Sequence, residues 1–157
     1  MKSSTRWSTL WVCGVVATFS AGTRLVARAA APAIPDPCKL ITVVELEHIV
    51  GPLKGNPRPG NIKSGDISCE YASATGPAWI SLSLHDGELT YWKNRNGGKT
   101  PVSLPELGKD AFVNTDFEGS ADLYAKKGAL ILRVTMPKGP KAVDELNAIA
   151  KKALARL

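Results

Sequence analysis

Two cysteines, Cys38 and Cys69, follow an uncharged apolar segment, and together these features constrain the chain more than any other. A thiol pair persists as a disulfide in an oxidising compartment and is rare elsewhere. The chain opens with Lys2 and Arg6 and no acid, runs without charge from Trp7 to Thr23, and then reaches Ala27-Arg28-Ala29 and the run Ala29-Ala30-Ala31. A basic start, an apolar stretch and small residues in an A-x-A pattern are the marks of a secretory signal peptide. Residues 1–29 are therefore expected to be a signal peptide, with cleavage after Ala29, Ala31 or Ala33. The alternative is an uncleaved anchor, but a membrane span needs about 20 apolar residues and this stretch is shorter and diluted by Ser and Thr. The membrane thus enters only through export. Cys13 follows Val12 without the small residue that precedes a lipidated cysteine, and is expected to leave with the signal.

Removing that segment changes the charge argument. The full chain carries 20 basic and 14 acidic residues, a formal charge of +6. Lys2, Arg6, Arg24 and Arg28 lie in the leader with no acid beside them, so the mature chain is close to neutral. Nucleic-acid binding needs a clustered basic face, and only Lys126-Lys127 and Lys151-Lys152 form adjacent basic pairs; no nucleic-acid partner is expected. What remains is long enough for one domain with its own core.

Cys38 and Cys69 enclose about 31 residues. There is no C-x-x-C spacing to lower a thiol pKa, and no histidine stands at metal-ligand spacing from either cysteine. A structural disulfide is the expected outcome, joining the start of the first helix to the inner face of the first clear strand.

Along the chain, residues 30–37 are rich in Pro and Ala and read as an extended leader, with a single α+β domain over 38–157. Thr42-Val43-Val44-Glu45 is a capping box that starts a helix running to about Val50, stopped by Gly51 and Pro52. Residues 51–65 carry several Gly and Pro and read as a loop. Ile67, Cys69 and Tyr71 alternate with Ser68, Glu70 and Ala72, the pattern of a half-buried strand. A second strand spans Ala78 to Leu84 and ends at His85-Asp86-Gly87. Asp86 is the expected cap of a short helix over 86–95. A short strand is expected near Asp110 to Asn114. Ser120 to Lys126 and Ala129 to Met136 then form a hairpin through the Lys126-Lys127-Gly128 connection. From Val143 to Leu157 apolar residues recur at helical spacing, with acids early and bases late. The expected fold is α+β: an antiparallel sheet of about five strands, with an N-terminal and a C-terminal helix packed on one face.

No strong catalytic or metal constellation is present, and no cofactor is expected. Gly98-Lys99-Thr100 lacks the first glycine of a phosphate-binding loop, since Lys93 stands there. His48 suits the C-terminal end of the first helix. His85-Asp86 reads as a strand end and a cap, without a third group for acid–base work. The aromatic residues are more informative. Trp79 and Tyr124 fall on strand faces opposite the aliphatic residues, together with Arg133, and form one candidate recognition surface of the aromatic and arginine type. If a helix covers that face, Trp79 is core instead. Tyr91 and Trp92 with Arg95 form a second candidate patch.

Asp36-Pro37-Cys38-Lys39-Leu40, a short helix ending in Gly51, then Cys69-Glu70-Tyr71 and the later Leu107-Gly108-Lys109-Asp110-Ala111-Phe112 before a hairpin and a final helix resemble the DUF3558-like family of small secreted bacterial envelope proteins. Many members of that family are lipoproteins, and this chain departs from them in having no lipobox. The resemblance implies an α+β fold and the disulfide, and brings no catalytic residues with it. The expected function is a non-enzymatic periplasmic or secreted domain that binds a small ligand or an envelope protein. The rivals are an enzyme inhibitor or accessory subunit acting through loop 51–65 or the outer sheet face, and a hydrolase-like enzyme whose residues are dispersed in sequence.

Overall fold

The structure, a computed structural model, describes residues 34–61, 67–74, 79–86 and 89–157, with the backbone alone for residues 61, 79–86 and 117. The expected signal peptide, its cleavage sites and most of the 30–37 leader lie outside the described residues.

The first helix, α1 (Val43–Val50), starts where the sequence places it. The Thr42 hydroxyl accepts from the Glu45 backbone N–H at 3.2 Å, and the Glu45 carboxylate accepts from the Thr42 N–H at 3.0 Å. Gly51 ends the helix with φ 85°, a left-handed conformation that glycine adopts without a side-chain clash. Glu45 also accepts from Arg156 at 2.8 Å, near the end of the last helix, α3 (Ala142–Arg156). The Arg156 bond, with the Thr42 backbone bond behind it, holds the Glu45 carboxyl well below the usual carboxylate range. Arg156 donates to the Leu40 carbonyl as well, at 2.9 Å, so the two ends of the domain are tied at one place.

The sheet is antiparallel throughout. Its strands are β1 (Arg58–Asn61), β2 (Ile67–Ala72), β3 (Trp79–Asp86), β4 (Val102–Ser103), β5 (Phe112–Phe117), β6 (Ser120–Lys127) and β7 (Leu130–Pro137), in the order β1-β2-β3-β7-β6-β5-β4. The α+β class and the antiparallel pairing agree with the sequence expectation, but the described sheet has seven strands rather than about five. One addition, β1, lies inside the supposed loop 51–65: Arg58-Pro59-Gly60-Asn61 has no alternating apolar pattern and is held by pairing with β2. The other, β4, is two residues paired with the start of β5. Asp86, expected to cap a helix, is instead the last residue of β3, opposite Leu130. The short helix α2 (Leu89–Lys93) follows it. In the β6–β7 hairpin, Lys127 pairs with Leu130, and the two turn residues are Gly128, with φ 63°, and Ala129.

Strand alternation sends two different sets of side chains to the two faces. On the inner face, Cys69, Tyr71, Val113, Leu123, Leu132 and Val134 share one core with Leu46 of α1 and with Leu146, Ile149, Ala150 and Ala153 of α3. Cys38, in a single 3-10 turn at Pro37–Lys39, is bonded to Cys69 with their Cα atoms 5.0 Å apart. Next to this staple the Tyr71 hydroxyl donates to the buried Ile41 carbonyl at 3.2 Å. Burial there, helped by the Asp36 charge, pushes the phenol up to about 12. On the outer face a second cluster joins Leu89 of α2 to Phe112, Tyr124 and Ile131, with Trp92 packed against it. Among the described residues, no helix is long and apolar enough to cross a membrane.

Candidate functional site

The outer face is where polar chemistry collects. Asp122 of β6 points away from the core that Leu123 joins, and its side chain is fully buried. An isolated carboxylate in such a place is costly, so it must be paired and hydrogen-bonded. Arg133 donates from Nε at 2.8 Å and from Nη2 at 2.6 Å, both to Asp122 Oδ1. Thr135 Oγ1 donates to the same oxygen at 2.6 Å, and Ser120 Oγ donates to Oδ2 at 2.7 Å. The hairpin register makes this constellation, with Asp122 opposite Thr135 and Tyr124 opposite Arg133.

Pairing with Asp122 fixes the guanidinium under α2. Its central carbon lies 5.4 Å from the Trp92 ring centroid and 5.7 Å from that of Tyr124, within cation–π range of both. Trp92 stacks on Tyr124 at 5.4 Å, and Tyr124 stacks on Phe112 at 5.1 Å. Outward from Trp92, the Tyr91 ring meets it edge-on at 5.0 Å. Arg95 lies over the Tyr91 ring at 5.4 Å and donates to its hydroxyl at 2.7 Å. The stack therefore grades from a buried base to an exposed tip: Tyr124 is 1% exposed and Tyr91 is 58% exposed. Burial pushes the Tyr124 phenol well above its ordinary value.

The sequence separates these residues into two patches; the fold joins them. Tyr91, Trp92 and Arg95 come from α2 and the turn after it, while Tyr124 and Arg133 come from adjacent strands. One expectation needs correction. Tyr124 does not present itself as a recognition residue, because α2 covers it; it supports Trp92 from below. The Trp79 side chain, core or surface, lies outside the described residues, and its backbone pairs with Ala72 at the start of β3. Ser83 and Ser81 fall opposite Arg133 and Thr135 in register. Asp122 is the residue that the sequence pattern alone passes over. Its signal is an acid alternating with Tyr124 in a strand whose hairpin partner offers Thr135 and Arg133.

The turn after α2 is pinned to β5 by two contacts and braced internally by a third. Asn114 of β5 donates to the Trp92 carbonyl at 2.8 Å, buried Asn96 donates to the Lys99 carbonyl at 3.0 Å, and the Lys99 ammonium pairs with Asp116. Lys99 thus has a structural partner, which answers the Gly98-Lys99-Thr100 reading. Asp116 also takes Lys138 at 2.8 Å, and these two cations, Lys138 foremost, draw its carboxyl down to about 2. A carboxylate whose pKa falls on folding adds stability that is present above its ordinary pKa, 3.8 here, and lost as pH falls through about 2. Asp116→Asn should therefore flatten the acid limb of a stability–pH curve over that window and leave the curve near neutrality parallel to wild type. Urea midpoints measured across the window check it.

Beside Arg133, residues Glu118 to Ser120, Thr135 and Met136 border an open cleft of about 270 Å³. A further cleft is lined by Leu89, Thr90 and Lys93 of α2, and another adjoins it through Asp110 and Lys126. His48 is exposed in the last turn of α1, and His85 lies in β3 opposite Ile131. Among the described residues, no group of three or more His, Cys, Asp or Glu side chains could hold a metal ion. Comparisons with protein-family models, with curated proteins and with solved structures give no match.

Proposed function

We propose that this chain is an exported, non-enzymatic domain that docks an envelope or secreted protein through the outer sheet face around α2. The observation that carries the reading is the continuous stack Arg95–Tyr91–Trp92–Arg133, whose base is immobilised by buried Asp122 and whose tip is exposed. Aromatic and arginine side chains held in place before binding lose little entropy on binding, which is why they dominate protein interfaces. The clefts on this face are open and partly polar, unlike the enclosed apolar pocket that holds most small ligands. A flat aromatic surface favours a protein partner over a small molecule. Export rests on the leader sequence and on the staple, which belongs in an oxidising compartment. An inhibitor or accessory subunit using the same face is one form of this proposal. The DUF3558-like resemblance agrees with an envelope location.

Tyr91→Ala and Arg95→Glu separate binding from folding. Each should cut retention of the partner on immobilised protein by about tenfold or more, the size expected of interface anchors. Because Tyr91 is exposed, each should leave the urea midpoint close to wild type. Full retention by both variants would refute the docking face.

A further inference from the structure

Bordering α2 lies a groove with a different chemistry. Alternation along β6 carries Asp122, Tyr124 and Lys126 to the outer face, and the strand direction sets Lys126 near Asp110, just before β5. A cleft of about 180 Å³ is lined by Leu89, Thr90 and Lys93 of α2 with Asp110 and Lys126. A second cleft, of about 270 Å³, adjoins it, sharing Asp110 and Lys126 and adding Lys109. Three ammonium groups and one carboxylate therefore face one continuous depression whose floor includes buried Leu89 and Ala111.

The convergence of three cations on one depression sets the groove apart. Lys99 and Lys138 share Asp116 and Lys152 reaches Glu45, while, among the described residues, Lys39, Lys54, Lys141 and Lys151 have no ion pair and do not line this depression. Among the described residues, Lys109, Lys126 and Asp110 have no ion pair, and Lys93 has only the Phe112 ring, 5.9 Å from its ammonium. Like charges held around one concavity repel one another and raise the local concentration of anions. The excess is local, since the domain as a whole is close to neutral.

We propose that this groove is a binding site for a compact multivalent anion, a phosphate ester or a polycarboxylate, with Lys93, Lys109 and Lys126 as its ligands and Leu89 as an apolar floor for the carbon skeleton. The site uses different side chains from the docking stack, although both draw on α2 and β6, so either can fail without the other. Lysine binds phosphate and carboxylate as a point charge rather than as a planar fork, so the site selects charge and size more than shape. Binding then weakens with ionic strength, because the groups are solvent-facing and screened over about 8–10 Å at physiological salt.

The test uses the disulfide-intact protein at low salt, titrated separately with pyrophosphate and with tricarballylate and followed by amide NMR. Saturable shifts centred on residues 89–93, 108–111 and 126 are expected with at least one probe, and the probe that binds tells phosphate from carboxylate. Lys93→Gln with Lys126→Gln should weaken that binding by about tenfold or more, the scale of losing charge-assisted contacts, while Lys151→Gln leaves it unchanged. Absence of saturable shifts with both probes, shifts spread evenly over all lysines, or wild-type affinity in the double variant would overturn the proposal. The wild-type shift map decides the matter even if a variant does not fold.

Discussion

Replacing the staple with Cys38→Ser and Cys69→Ala should lower the unfolding free energy by roughly 3.5–4 kcal/mol. That figure is the chain-entropy value for a closed loop of about 31 residues. It is a large part of the roughly 5–15 kcal/mol available to a domain of ordinary stability. The loop enclosed is not passive. It contains α1 and β1 and closes onto β2, where Cys69 is fully buried among the inner-face residues. The staple thus holds the start of α1 against the sheet at the point where Tyr71 binds the Ile41 carbonyl and Arg156 binds the Leu40 carbonyl. Losing the bridge should loosen that corner first. Urea unfolding of the variant, or of wild type in reductant, measures the loss, and hydrogen exchange should show it concentrated in residues 38–50. A loss under about 1 kcal/mol, the scale of one ordinary hydrogen bond, would mean that the two hydrogen bonds and the Leu46 packing hold the corner unaided.

The second large effect is expected at the outer face. Arg133→Met should cost about 3–5 kcal/mol, because it leaves the buried Asp122 carboxylate without its cation. Ser120 and Thr135 can still donate, but two neutral hydroxyls do not replace a guanidinium. Arg133→Lys should rescue only part of the loss. An ammonium cannot make both Nε-type and Nη-type contacts to Oδ1 while keeping a planar cation beside the Trp92 and Tyr124 rings. Asp122→Leu combined with Arg133→Met should recover most of the stability, since a well-packed apolar pair often matches a buried ion pair. A strongly favourable coupling in that double-mutant cycle is the expected result. Near-additive losses would mean that the pair does not act as one unit. The stable double variant is also informative about function: it removes the fixed cation beneath Trp92 and should bind the partner poorly.

The parts of the fold legible in the sequence are those fixed by local chemistry. The Thr42–Glu45 capping box, the Gly51 stop, the Gly128 turn and the stripe from Leu146 to Ala153 each decide their own element within a few residues. The disulfide is legible because few cysteines compete for it. What stays hidden depends on pairing across the chain. Arg58 to Asn61 has no strand pattern of its own and becomes a strand because the edge of β2 offers hydrogen-bond partners. Asp86 reads as a cap because Asp before a helix is the commoner case, whereas β3 extends through it to pair with β7. The site is half legible. Five of its residues stand out as aromatic or arginine, but α2 is placed on the outer face by Leu89 and Trp92 packing on Tyr124 and Ile131, which no local pattern encodes. Asp122 is within reach: counting back from the Gly128-Ala129 turn puts it opposite Thr135, two residues from Arg133 on the same face.

If another protein docks on the exposed end of the Arg95–Tyr91–Trp92–Arg133 stack, a photoreactive side chain placed there should capture it. The experiment is site-specific crosslinking in cells that express the full-length chain, with a benzophenone amino acid at position 91 and, as control, at position 44. Val44 is also apolar and is 62% exposed, but it lies on α1, away from the outer face. Position 91 should give a discrete protein adduct that Arg95→Glu abolishes and that position 44 does not give. Equal labelling from both positions, or no adduct from position 91 in intact envelopes, would show that this face is not where a partner binds.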